Sequence, residues 1–60
     1  MKPQFVIFNL ESGGYFSLDY DIFTTKIKNA ATFDTHEEAK EFIRRNLEGY
    51  YSIQEIFVNI

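Results

Sequence analysis

Gln4–Leu10 (QFVIFNL) is apolar at both parities, with Phe5 and Ile7 on one and Val6, Phe8 and Leu10 on the other. A strand apolar on both sides belongs inside a sheet or under cover on both faces. Glu11-Ser12-Gly13-Gly14 follows, a turn signal in which either glycine can take positive φ. Tyr15–Tyr20 (YFSLDY) then alternates, Phe16, Leu18 and Tyr20 against Tyr15, Ser17 and Asp19. The two segments predict a β-hairpin.

Asp21–Asp34 is the least periodic stretch. Phe23 and Ile27 stand at helical spacing, but Thr24, Thr25 and the alternating Lys26-Ile27-Lys28 favour extended chain. A structureless loop of this length is uncommon in a small domain. The segment is expected either to prolong the second strand or to add a short edge strand near Ala31–Phe33, the lysines discouraging edge pairing. The helix signal is clearest. Thr35 with Glu38 three residues on is a capping-box pattern, and Asp34 is the rival cap. Ala39, Phe42, Ile43 and Leu47 fall on one stripe, while Glu37, Lys40, Glu41, Arg44 and Arg45 face out. Acidic residues in the first turn and arginines near the last suit the helix dipole, and Gly49 reads as the C′ stop. A final strand spans Tyr51–Ile60. Ile53 has one parity and Ile56, Val58 and Ile60 the other, so a bulge near Gln54-Glu55 is expected to bring them to one face.

These elements predict an α+β fold: strand, strand, helix, strand, with room for an extra short strand before the helix. The sheet is small and antiparallel, with the helix on one face. A right-handed crossover places the last strand beyond the first, so that Gln4–Leu10 lies in the middle. One helix covers one face. The other is expected to carry Phe5, Ile7, Tyr15 and Phe57, more aromatic surface than a chain this small can bury. The alternative is that the segment 21–34 folds back over it.

Composition sharpens this. Sixty residues make one domain, 1–60, which buries only about 60% of its extended surface. There is no cysteine, hence no disulfide framework and no thiolate metal site. No apolar run suggests a membrane span, and Met1-Lys2-Pro3 lacks a signal-peptide layout, so a soluble cytoplasmic protein is expected. Residues 1–30 balance Lys2, Lys26 and Lys28 against Glu11, Asp19 and Asp21. Residues 31–60 therefore hold the whole net charge of −3. Phosphate binding asks for the opposite sign, so nucleic acid is an unfavoured partner. An acidic surface suits a basic protein partner.

Candidate chemistry is sparse. Asp19-Tyr20-Asp21, with Glu11, resembles part of a hard-cation site but lacks the spacing and glycine of a calcium loop. His36 has no visible nucleophile partner, and Ser12 and Ser17 have no elbow motif. Gly13-Gly14 precedes a strand, where a phosphate loop wants a helix N-terminus. No catalytic residue, metal ligand or cofactor is assigned, and the chain is not expected to be an enzyme.

Two resemblances bear on function. Gly13-Gly14-Tyr15 and the run Asp34-Thr35-His36-Glu37-Glu38-Ala39 opening a helix resemble HicB-like antitoxins over the hairpin and the helix start. That resemblance implies a domain that binds and inhibits a small toxin ribonuclease. Ala30, Phe33, Thr35, Glu38, Ala39, Phe42 and Ile43 resemble the layout of small phage and prophage proteins, a hairpin, then A-x-x-F-x-[ST]-x-x-E-A leading a helix, then a strand. This implies a non-enzymatic binder of a host factor, including inhibitors of defence systems. The resulting expectation is a protein-binding inhibitor or modulator acting by occlusion. Phe5, Ile7, Tyr15 and Phe57 would supply affinity, and Glu37, Glu41 and Glu48 would complement a basic surface. An antitoxin-like or homodimeric module is the alternative, and a single-strand nucleic-acid binder a third reading. The helix cap is testable directly: Thr35→Ala is expected to lower stability by about 1 kcal/mol in urea denaturation.

Overall fold

The computed structural model describes residues 2–18 and 22–58. It contains β1 (Lys2–Asn9), β2 (Tyr15–Ser17), β3 (Ile22–Thr24), a 3-10 turn at Ile27–Asn29, α1 (His36–Asn46) and β4 (Tyr51–Val58). The strands form one antiparallel sheet in the order β3-β2-β1-β4. This is the expected α+β fold, with the first strand inside the sheet and the last beyond it. The extra strand before the helix is present, but at Ile22–Thr24. Near Ala31–Phe33 there is only an isolated bridge.

Backbone geometry explains that bridge. The β1–β2 ladder is short, Phe8 opposite Tyr15. Beyond it the Phe16 carbonyl accepts from Ala31 N–H at 2.8 Å instead of from β1. Phe5 then exchanges both backbone bonds with Phe33, each 2.9 Å. The Ala31–Phe33 chain thus fills the place along β1 that a longer β2 would occupy. β2 is cut to Tyr15–Ser17, and Leu18, expected beside Phe16, is 65% exposed. Tyr20, Asp21 and Ile60, also assigned to elements by their pattern, lie outside the described residues.

The hairpin turn is fixed by Asn9. Its side-chain oxygen accepts from the N–H groups of Glu11 at 2.8 Å and Ser12 at 3.1 Å, as in an Asx turn. Gly13 follows at φ +81°. On the other side of β1, β4 runs in unbroken register from Lys2 opposite Val58 to Asn9 opposite Tyr51. There is no bulge. Ile53 therefore keeps the helix side while Ile56 and Val58 take the other, and β4, like β1, is apolar on both faces. Pro3 fits within β1 because odd-numbered residues of that strand bond away from β4, as Phe5 and Asn9 do, so its missing N–H costs the β4 ladder nothing.

α1 begins as expected. The Thr35 hydroxyl accepts from Glu38 N–H at 3.1 Å, and Thr35 is the cap. Asp34 instead faces Gln4 at 3.4 Å and Lys2 at 3.6 Å. The helix ends earlier than the glycine suggested: Leu47 is already extended, its N–H still bonded to the Ile43 carbonyl at 3.0 Å. Gly49, at φ +118°, serves the turn into β4. There the Tyr51 hydroxyl donates to the Glu48 carbonyl at 2.8 Å.

The core lies between α1 and one sheet face. Ile7, Phe16, Ala31 and Ala39 are buried, with Phe5, Phe23, Phe33, Phe42, Ile43, Leu47, Tyr51 and Ile53 packed around them. Phe16 meets Phe42 at 5.1 Å and Phe23 at 5.8 Å between ring centroids, and Phe42 meets Phe33 at 5.4 Å. Ala39 is fully buried, a small residue where α1 comes down on the sheet. Phe23 and Tyr51, on opposite edge strands, stack at 5.8 Å. Gly14 is buried close against Phe23: a Cβ there would stand 3.0 Å from the Phe23 Cβ and 3.4 Å from its backbone carbon. Gly14→Ala is therefore expected to push β3 away and cost about 1–3 kcal/mol in denaturant midpoint analysis. Gly13→Ala, with no atom within 4 Å, should cost only its left-handed strain, about 1–2 kcal/mol.

Candidate functional site

The two faces of the sheet differ in what they can do. β1 residues of even number point away from α1, and the register carries their partners with them. That face presents Lys2, Gln4, Val6 and Phe8 from β1, Tyr15 and Ser17 from β2, Thr24 from β3, and Ser52, Gln54, Ile56 and Val58 from β4. Val6 and Ser17 are buried at its centre. Phe8 and Tyr15, opposite each other, meet edge to face at 5.2 Å and are half-buried. Beyond them the ladder is continued by the Leu10 N–H, which donates to the Tyr50 carbonyl at 3.0 Å. Leu10 is 57% and Tyr50 72% exposed. Phe8, Tyr15, Leu10 and Tyr50 thus gather at the hairpin end of the sheet.

This corrects the sequence assignment of the free face. Phe5 and Ile7 are not on it: both lie on the α1 side, Ile7 fully buried and Phe5 in a T-shaped contact with His36 at 6.0 Å between ring centroids. β1 is apolar at both parities, so its pattern alone does not choose a side. The choice follows from its neighbours, since Phe16, Phe33 and Ile53 align with the odd residues. Tyr15 is where it was expected. Phe57 is 58% exposed, but it stands opposite Pro3 on the helix-side parity, at the far end of β4. Segment 21–34 does not close the other face with its aromatics either, because Phe23 and Phe33 join the helix-side core. Leu10, Phe8 and Tyr50 were missed. The signal available was the shared even parity of Val6, Phe8 and Leu10.

The acidic helix surface is also altered. Glu37 and Glu48 are exposed. Glu41 is not a free carboxylate: it accepts from Arg44 through two nitrogens, Nε at 3.2 Å, and from Arg45 Nε at 2.9 Å. Those hydrogen bonds, first Arg44 and then Arg45, hold the Glu41 carboxyl below its ordinary pKa, and Glu41 in turn raises that of Arg44. The three glutamates therefore do not act as one acidic stripe; two remain, on either side of a locally neutralised turn.

Among the described residues no three of His, Cys, Asp and Glu stand close enough to share a metal ion. Asp19-Tyr20-Asp21 lies outside those residues. His36 is exposed and makes a T-shaped contact with Phe5. No helix of the structure is long and apolar enough to cross a membrane. No family model matches the chain, and no curated protein or solved structure was found that matches it.

The Glu41 cluster has a pH signature. Because its folded pKa is depressed, its contribution is present above the unfolded carboxylate value and is lost as pH falls through the folded one. Glu41→Gln is expected to lower the thermal midpoint near neutral pH. The gap to wild type should close on acidification below the usual carboxylate range and shrink in high salt.

Proposed function

We propose that this chain is a non-catalytic protein-binding module, an inhibitor or modulator of one host protein of the kind phages and mobile elements encode, acting by occlusion. The observation that carries this reading is the hairpin-end patch, Leu10, Phe8, Tyr15 and Tyr50, on the sheet face turned away from the only α-helix among the described residues. Exposed apolar clusters rimmed by polar residues are what interfaces are made from, and Tyr and Phe are enriched at their centres. Ser12 and Glu11 border the patch on the turn, and Ser52 adjoins it on β4. The anchoring role passes from Phe5 and Ile7, which are committed to the core, to Phe8, Leu10 and Tyr50 beside Tyr15.

Electrostatics supplies the second part. The net −3, concentrated in residues 31–60, leaves Glu37 and Glu48 to steer a basic partner, while Glu41 is met internally by arginine. A partner that is itself a nucleic-acid enzyme would have its phosphate-binding surface blocked by this arrangement. The patch lacks the lysines and arginines that base-stacking platforms need, which makes a protein partner the better fit than a single strand.

The test is capture from a bacterial lysate followed by assay of the captured protein. Wild type should retain a partner and inhibit it at stoichiometric amounts. Leu10→Asp/Tyr15→Ser should lose retention and inhibition by about tenfold or more. Glu37→Lys/Glu48→Lys should slow association and weaken its salt dependence. Equal retention and inhibition by the patch variant, shown to be folded by circular dichroism, would overturn the proposal.

A further inference from the structure

β4 is an edge strand, and its free edge is complementary to a copy of itself. Along β1, odd-numbered residues bond toward β2 and Phe33, as Phe5 and Asn9 do, so the even-numbered ones bond toward β4. Their partners are Ser52, Gln54, Ile56 and Val58. The N–H and C=O groups of Tyr51, Ile53, Glu55 and Phe57 therefore point out from the sheet, with no partner among the described residues.

Sheet edges are ordinarily blunted by shortness, proline, bulges or lysine. The β3 edge is short, three residues, and Lys26 and Lys28 follow it. β4 has none of these devices. It runs for eight residues in unbroken register, with Glu55 its one charge.

We propose that two copies of this chain pair antiparallel through β4, joining their sheets into one continuous sheet across a two-fold axis at Gln54. Only one register satisfies all the outward groups and keeps like charges apart. With the axis at Gln54, Tyr51 exchanges bonds with Phe57 of the second copy, and Ile53 with Glu55. A shift that centres the axis on Glu55 sets the two carboxylates against each other and leaves Tyr51 without a partner inside β4. A shift that centres it on Ile53 leaves Phe57 unpaired in the same way. The chosen register also covers exposed apolar surface: Phe57 comes beside Tyr51 on the helix side, and Tyr50 beside Val58 on the other. The pairing is isologous and closed, so it stops at two chains. It uses the sheet edge and shares only Tyr50 with the hairpin-end patch.

The register makes a specific prediction. Gln54 faces its own copy across a non-hydrogen-bonded pair, where Cα atoms lie about 4.5 Å apart, within disulfide reach. The chain has no cysteine of its own. Gln54→Cys should therefore cross-link to a dimer under mild oxidation, at least about tenfold faster than Ser52→Cys, which would face Ile56. Sedimentation of the wild type should show a concentration-dependent monomer–dimer equilibrium. Glu55→Pro removes an outward N–H at the middle of the edge and leaves the β1 ladder intact. It should weaken dimerisation by about tenfold or more. A wild type that stays monomeric at every concentration would overturn the proposal. So would cross-linking at position 52 as fast as at 54, or a dimer unaffected by Glu55→Pro. The cysteine pair decides the matter even if the proline variant does not fold.

Discussion

The backbone of β1 is the constraint on which the rest of the molecule depends. Its even residues serve β4 and its odd residues serve β2 and the Ala31–Phe33 segment, so both edges are in use. Its side chains are in use on both faces as well. Phe5 and Ile7 face α1, and Val6 is buried on the opposite side. No other described strand is engaged in all four directions over such a length. With no cysteine available, this doubly used strand takes the place that cross-links hold in many domains of this size.

Around it the aromatic side chains divide into two populations. One is structural: Phe16, Phe23, Phe33, Phe42 and Tyr51 form a layer that runs from one edge strand to the other beneath α1. It closes only because Ala39 and Gly14 leave room, the first for the helix to descend and the second for Phe23 to reach across. The other population, Phe8, Tyr15 and Tyr50, stands on the far side, away from the one α-helix among the described residues. An aromatic-rich composition alone does not separate the two. Their separation by sheet face makes the second group available for recognition.

Much of the architecture was legible in the sequence because it rests on local signals. The Glu11–Gly14 turn, the Thr35 cap, the stripe from Ala39 to Leu47 and the interior position of β1 each follow from residues within a few positions of one another. What was not legible depends on distant chain. β1 and β4 are apolar on both faces, so parity gave no direction, and the side taken by Phe5 and Ile7 is decided by Phe16, Phe33 and Ile53. The expected bulge in β4 assumed that apolar residues must gather on one face, yet both faces of this sheet accept them. The interruption of β2 depends on a backbone bond from Ala31, which no side-chain pattern announces. For the candidate site, Tyr15 was placed and Phe5 and Ile7 were misplaced for this same reason. The Glu41 pairing was foreseeable from arginines three and four residues on.

The pairing of β1 with β4 has a consequence for how the chain reaches this state. Lys2 bonds across to Val58, so the eight-residue β1–β4 ladder joins segments that the hairpin, β3 and α1 separate in the chain. The hairpin and α1 can form from local contacts, but the sheet gains its second edge only when two distant parts of the chain meet, at the cost of closing the long loop between them. Until then β1 carries an open apolar edge. The molecule is thus a late closer, its sheet completed by the non-local β1–β4 pairing after the local elements are in place.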